Sequence, residues 1–119
     1  MKIINRIKSN QEFGVAVKKG QTLKSSSYVI HYLKNDLSIC RVGISVSTKI
    51  GNAVVRNRIK RQIRAMCDSM IEYNDHAFDI VIIVRKDFLT KDFLTNSQEL
   101  KKLFEKIGII EWKISLRLL

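Results

Sequence analysis

The residues best suited to chemistry in this chain lie in one segment, KIGNAVVRNRIKRQIR, which runs from Lys49 to Arg64. The window from Leu37 to Cys67 contains seven Lys and Arg residues and no Asp or Glu. Guanidinium groups grip phosphate oxygens through paired hydrogen bonds, and ammonium groups add mobile point charges. Cations without an acid three or four residues away repel one another and oppose folding. The segment therefore predicts a surface for a polyanion.

The charge is distributed unevenly along the chain. Residues 1–67 hold fourteen Lys and Arg against two acids, Glu12 and Asp36, while residues 68–119 hold eight against nine. A net charge of +11 with this asymmetry points to nucleic acid or an anionic membrane as the partner. We expect the acid-poor half to form the contact surface.

A helix is predicted from about Asn52, its N-cap, to about Tyr73. At 100° per residue its apolar side chains fall within about 80° of one another and form a stripe for the core. This stripe consists of Val55, Ile59, Ile63, Met66 and Met70. An adjoining arc of about 140° is polar, and Arg58 lies further round. The arc consists of Arg56, Asn57, Lys60, Arg61 and Arg64.

Two other interpretations of this helix are weaker. A merely solvated face normally mixes charges of both signs, which this one does not. A membrane-surface helix would need a free apolar stripe with Trp or Phe, whereas this stripe is required for the core. The sequence shows no secretory signal and no apolar stretch near the roughly 20 residues that cross a bilayer. We therefore expect a cytoplasmic protein without a membrane partner.

Catalysis by the polypeptide itself is not expected. Phosphodiester hydrolysis needs carboxylates or His to hold metals or move protons, and the basic half has only Glu12 and Asp36. The acids of the other half show no ligand spacing. His31, His76, Cys40 and Cys67 also lack the short pair spacings of zinc sites, and the cysteines are expected to be buried thiols. We predict no catalytic residue and no protein-borne metal.

The remaining pattern predicts further helices and strands around this helix. Ser9 and Glu12 fit a capping box for a short helix that ends at Gly20. The other predicted elements are a hairpin of strands Tyr28–Leu33 and Arg41–Ser47, an interior strand Asp79–Arg85, a helix from an Asn96/Ser97 cap to Gly108, and a terminal strand within Trp112–Leu118.

At 119 residues the chain is expected to form a single domain, residues 1–119. The order α-β-β-α-β-α, with an additional C-terminal strand, predicts an α+β protein, a two-layer α-β sandwich with a mixed sheet. A helix-turn-helix DNA reader does not fit, because residues 48–52 follow a strand and do not join two short helices. A ribosomal or RNA-chaperone protein remains open on composition alone.

The stretch GISVSTKIGNAVVRNRIKRQIR resembles the signature of the bacterial ribonuclease P protein component family. The similarity extends to SNQEF and KKG within Ser9–Gly20 and to VIIVRK at Val81–Lys86, and spans about residues 5–106. The signature residues present here are Val46, Ser47, Lys49, Gly51, Ala53, Val54, Arg56, Asn57, Lys60, Arg61 and Arg64.

The resemblance implies a protein subunit that assists a catalytic RNA. The RNA would carry out the chemistry with Mg²⁺ that it mainly binds itself, removing the 5′ leader from precursor tRNA. The partners are then ribonuclease P RNA and precursor tRNA, with no DNA. The family fold further implies a left-handed βαβ crossover, against the usual preference.

The resemblance also assigns roles to individual positions. Val17 and His31 depart from the aromatic residues frequent at those positions in the family, and Asp87 replaces a common Pro. The RNA-binding residues would be Lys49, Arg56, Asn57, Arg58, Lys60, Arg61 and Arg64. A leader-binding cleft would be floored by Phe13, Val17, Val29 and His31.

Overall fold

Three α-helices and four β-strands form the part of the chain that the computed structural model describes, residues 1–110. The predicted strand within Trp112–Leu118 lies outside these residues. Two 3-10 helices, Ile3–Asn5 and Lys86–Thr90, accompany the main elements. In chain order these are α1 (Asn10–Lys19), β1 (Gln21–Lys24), β2 (Tyr28–Lys34), β3 (Arg41–Ser45), α2 (Ala53–Met70), β4 (Phe78–Val84) and α3 (Phe93–Ile107). No helix within residues 1–110 is both long and apolar enough to span a membrane.

The four strands form one mixed sheet in the order β1-β2-β4-β3. β2 pairs antiparallel with both β1 and β4, whereas β3 and β4 are parallel and are joined through α2. The central position of β4 follows from its composition, because Ile80, Val81 and Ile82 are apolar on both faces and all are fully buried. The predicted α+β class and mixed sheet are confirmed, and the left-handed sense of the crossover stays a prediction.

The predicted hairpin between Tyr28–Leu33 and Arg41–Ser47 is wrong, because β4 lies between these two strands. The connection is anchored to β4: Asn35 donates its backbone N–H to Ala77 O at 2.9 Å and its side-chain amide to Asp79 Oδ1 at 2.8 Å. The true hairpin joins β2 to β1 and was not predicted. Apart from Leu23, the residues of β1 are exposed, so this short edge strand has no clear hydrophobic alternation.

The two faces of the sheet are covered differently. α2 and α3 pack over one face and enclose the main hydrophobic core, which includes Ile30, Ile82 and Phe104. On the other face, a small cluster centred on Ala16 and Val81 holds α1 against part of the sheet. Beside α1, Val29 and His31 of this second face are only half-buried within residues 1–110.

The end of α2 and the start of α3 differ from the predicted boundaries. α2 begins after Asn52 as predicted, with Asn52 Oδ1 accepting from Val55 N–H at 3.0 Å, but ends at Met70. α3 begins earlier than predicted, because Asp92 and not Asn96 or Ser97 is its N-cap, accepting from Thr95 N–H at 2.8 Å. Asn96 lies buried inside the helix and donates to a backbone carbonyl of the preceding 3-10 helix.

α1 ends at Gly20 as predicted, although not through a left-handed cap. The backbone of Gly20 is extended, with φ −77°. A Cβ at this position would lie 2.4 Å from Ala16 O and 2.7 Å from Tyr32 O. The glycine is therefore required by the close approach of α1 to β2.

Candidate nucleic-acid interface

The two sides of α2 have opposite roles, as its periodicity predicts. Ile59, Ile63 and Met66 are at most 1% exposed, while Val55 and Met70 pack at the edge of the same core. This apolar stripe fixes the rotation of the helix about its axis. The polar arc consequently points away from the core.

The structure places the seven predicted RNA-binding residues on one continuous stretch of surface, in α2 and the loop before it. Asn57, Arg58 and Arg61 are exposed, as is Lys49 ahead of the helix, while the other three are half-buried. Within residues 1–110, none of these side chains forms a salt bridge. Their charges are therefore not neutralised by the described part of the fold.

Two further cations, Arg6 and Lys8, join this surface from the N-terminal segment. A parallel bridge between Arg6 and Val42, and a 3.1 Å hydrogen bond from Ile7 N–H to Val42 O, attach the segment to the edge of β3. The result is a groove of about 460 Å³, here called the basic groove. Its lining is Arg6, Ile7, Lys8, Asn10, Phe13, Val42, Gly43, Ile44, Lys60 and Arg64.

Of residues 1–110, four cationic side chains and no acid line the basic groove. Burial, followed by the neighbouring charge of Arg6, lowers the pKa of Arg64. The Nε atoms of Arg6, in the groove, and of Arg56, outside its lining, are buried without a hydrogen-bond partner within the described residues. The four cationic side chains suit an anion that brings several acceptor oxygens.

Arg6 and Lys8 were not among the predicted site residues. They lie more than fifty positions before Lys60 in the sequence, and no local spacing relates them to α2. The available signal was weak: both belong to the acid-poor half of the chain. Only the pairing of the N-terminal segment with β3 brings them to the helix.

The predicted cleft residues meet between α1 and the open face of the sheet. Val29 and His31 lie on the same sheet face as Ile83 and Val81, their partners in β4. Phe13 and Ile83 are partly buried beside Val81, whereas Val17 is 39% exposed. The structure thus brings Phe13, Val17, Val29 and His31 to one side of the sheet.

Further residues of the cleft floor follow from the strand register. Lys24, Val29, Ile83 and Ser45 form one row across all four strands, on the face where α1 packs. Ile83 and Ser45 were not among the predicted cleft residues. Because Phe13 also lines the basic groove, the groove and the cleft are continuous through its ring.

His31 is held by a neighbour in β1. Its Nδ1 lies 2.9 Å from Thr22 Oγ1, which fixes the orientation of the ring. Partial burial, and then the charge of Lys24, lower the pKa of His31. The ring is therefore neutral at physiological pH and offers a face for stacking or a nitrogen for hydrogen bonding.

Glu12 positions α1 above the sheet. Ser9 Oγ accepts from the N–H groups of Gln11 and Glu12, as the predicted capping box requires. The other predicted contact of the capping box, in which the Glu12 carboxylate accepts from the backbone N–H of Ser9, is wrong. The carboxylate pairs with Arg41 at 2.5 Å instead. Arg41 also pairs with Asp79 at 2.6 Å, so this single guanidinium is shared between Glu12 and Asp79.

The family model and the relatives that match this chain name the same protein family. The family model described as Ribonuclease P matches residues 1–108. The chain is 46% identical to the ribonuclease P protein component of Mesoplasma florum over 98 residues, covering 82% of this chain and 89% of the relative. It is 39% identical to that of Bacillus cereus over 118 residues, covering 98% and 99%.

A solved structure agrees with these relatives. The Staphylococcus aureus RNase P protein superimposes with a TM-score of 0.79 at 33% identity, over 90% of this chain and 98% of that one. The family model covers nearly the whole chain, and the fold and the curated relatives point to the same proteins. The chain therefore belongs to the ribonuclease P protein component family, whose members are parts of a tRNA-processing ribonucleoprotein.

Proposed function

We propose that this chain is the RNA-binding subunit of a ribonuclease P holoenzyme. The face of α2 and the basic groove bind phosphates of ribonuclease P RNA, and the cleft beside α1 holds the 5′ leader of precursor tRNA. The holoenzyme then cuts the leader to give the mature 5′ end. The RNA carries out this Mg²⁺-dependent hydrolysis.

The observation that carries the proposal is the acid-free lining of the basic groove. Arg6, Lys8, Lys60 and Arg64 converge there, and no carboxylate of residues 1–110 lines it. Each phosphate that enters such a groove releases condensed counterions, which gives tight, salt-dependent binding. The same phosphates relieve the repulsion between the cations.

The chemistry is assigned to the RNA because the donor set of this surface does not suit a metal ion. Glu12, an acid in the first turn of α1, is held in a salt bridge with Arg41. Guanidinium and ammonium groups repel Mg²⁺, which prefers carboxylate, phosphate and water oxygens. The protein's contribution is positive charge and positioning, so we expect the holoenzyme to need less Mg²⁺ than the RNA alone.

The cleft suits a single strand better than a duplex. It combines the ring of Phe13 and the imidazole of His31 with Lys24, an exposed lysine of β1 whose partner in β2 is Val29. Single-stranded RNA is commonly bound by stacking of its bases on such rings beside a positive groove. The aliphatic Val17 offers no stacking surface, so the rings of Phe13 and His31 carry the contact with the bases.

Reconstitution tests the proposal directly. The purified protein is added to a bacterial ribonuclease P RNA and precursor tRNA at a Mg²⁺ concentration too low for the RNA alone. We expect site-specific removal of the leader only when both components are present. Cleavage by the protein alone would contradict the assignment of the chemistry, and failure to restore cleavage would favour a general RNA chaperone.

A charge variant tests the α2 surface. Arg61→Ala should weaken binding to ribonuclease P RNA and reduce the slope of log K against log salt by about 0.7–0.9 for one lost phosphate contact. Lys102→Ala, which removes an exposed charge from α3, is the matched control and should leave the slope unchanged. Equal slopes for Arg61→Ala and the unaltered protein would contradict direct phosphate contact.

A further inference from the structure

A second groove lies on the opposite flank of α2 from the basic groove. It is formed where α2 meets the start of α3, has a volume of about 320 Å³, and is called here the α2–α3 groove. Arg58 and Gln62 of α2 line it, together with Phe88 and Phe93. The volume is at the small end of the roughly 300–1,000 Å³ typical of ligand sites.

Phe93 is unusual among the aromatic residues of the described chain, because its side chain is largely outside the core. The tetrapeptide Asp-Phe-Leu-Thr occurs twice, and its two phenylalanines have different environments. Phe88 is 4% exposed and packs edge-on against Tyr28 at 5.8 Å, whereas Phe93 is 48% exposed. The first Phe belongs to the core, and the second offers its ring to a ligand.

The polar groups around Phe93 are those that recognise a nucleobase. Arg58 supplies a guanidinium that stacks on a base or binds its phosphate, and Gln62 supplies both a donor and an acceptor. Asp92 lines the same groove; its Oδ1 accepts from Thr95 N–H as the N-cap of α3, and the carboxylate can accept a further hydrogen bond from an exocyclic amine. We propose that the α2–α3 groove binds one unpaired base of the RNA held by α2, stacked on Phe93 beside Arg58.

This inference rests on the proposed function, because the base belongs to the same RNA that the α2 surface contacts. Arg58 connects the two regions: it is part of the cationic surface and also lines the α2–α3 groove. A strand that follows α2 would therefore bring a base to Phe93 without leaving the protein surface.

Other occupants fit less well. A free phosphate would meet the carboxylate of Asp92, and Lys91 is already engaged with Glu99 at 2.7 Å. A protein partner would need an interface of at least about 1,000 Å². The groove instead offers one half-exposed ring and the neighbouring Leu89, which is 47% exposed. One planar ring system matches that apolar area.

Substitution of Phe93 separates stacking from simple apolar contact. Affinity for a bacterial ribonuclease P RNA is measured for Phe93→Ala, Phe93→Leu and Phe93→Tyr, with thermal unfolding as the check on folding. Loss of one stacked base should weaken binding by about five- to 150-fold in the Ala variant. The Leu variant keeps the apolar volume and should lose most of that affinity, whereas Tyr should retain it.

Leu94→Ala is the matched control. Leu94 is 64% exposed and adjacent to Phe93, but it does not line the groove. It should bind RNA like the unaltered protein. The salt slope should be the same for Phe93→Ala and the unaltered protein, because stacking releases no counterions.

Chemical probing of unpaired bases with dimethyl sulfate identifies the contact. At saturating protein, one unpaired adenine or cytosine protected by the unaltered protein should become reactive with Phe93→Ala. The inference is overturned if Phe93→Ala or Phe93→Leu binds within about twofold of the unaltered protein, or if Leu94→Ala loses as much. Failure of the unaltered protein to bind the RNA would instead contradict the proposed function.

Discussion

Arg64 is the residue for which folding and the proposed RNA binding make opposite demands. It is half-buried in the basic groove, and its pKa is lowered by burial and by the charge of Arg6. Arg64→Gln removes the charge while keeping a long polar side chain of similar helix propensity. We expect this variant to be more stable than the unaltered protein when free, yet to bind RNA more weakly.

The expected gain in folding stability of Arg64→Gln follows from the number of like charges around Arg64. Lys60 and Arg61 precede it by four and three residues in α2, and Arg6 faces it across the groove. Each like-charge pair costs about 0.2–0.5 kcal/mol at low salt, so removing three should stabilise the fold by about 0.5–1.5 kcal/mol. At about 1 M salt the Debye length is roughly 3 Å, and the gain should largely disappear.

Urea unfolding at low and high NaCl measures this effect, and a salt titration of RNA binding measures the loss of one phosphate contact. Arg61→Gln is the control, since Arg61 is exposed and does not line the groove. Its gain in stability should be smaller. Repulsion around Arg64 is ruled out if Arg64→Gln is less stable than the unaltered protein at low salt, or if its gain persists unchanged at high salt.

Three further predictions concern the cleft and the fold. Phe13→Ala should weaken binding of precursor tRNA but not of mature tRNA, whereas equal losses would make Phe13 a packing residue. In Gly43→Ala the new Cβ would lie 2.3 Å from Phe13 Cε2 and displace the ring; we expect a similar loss of leader affinity with about 1 kcal/mol of destabilisation, and unchanged affinity would contradict this. Burial opposes ionisation of Glu99, but hydrogen bonds from Lys91, Ser25 and Ser27 lower its pKa to about 2. This stabilisation is present above about pH 4.5 and is lost as the pH falls toward 2, so Glu99→Gln should cost about 2 kcal/mol in urea unfolding at pH 7 and flatten the acid limb; an unchanged acid limb would contradict it.

The sequence alone predicted the elements whose signal is local. α2 could be placed because its apolar residues repeat every three to four positions and Asn52 provides an N-cap. β4 could be placed because seven consecutive residues suit a buried strand. The absence of acids beside the cations of α2 is likewise a property of the local sequence, and it was sufficient to predict a polyanionic partner.

The predictions failed where two local signals competed or where the partner was distant. Asn96 and Ser97 are acceptable N-caps, but Asp92 precedes them and forms its cap one turn earlier. The two strands of the predicted hairpin are adjacent in sequence, yet each pairs with β4, which is buried on both faces, and neither pairs with the other. Local propensity contains no information about such a competition.

The sequence by itself therefore determined the character of this protein: a strongly basic α+β domain with one cationic helix. Only the tertiary structure decided which charges share a site, because Arg6 and Lys8 reach Lys60 and Arg64 through pairing with the edge of β3. It also decided that Phe88 is buried and Phe93 exposed, although the two lie in identical tetrapeptides. The physical reason is that burial depends on which elements pack together, and that packing is set by contacts between residues far apart in the chain.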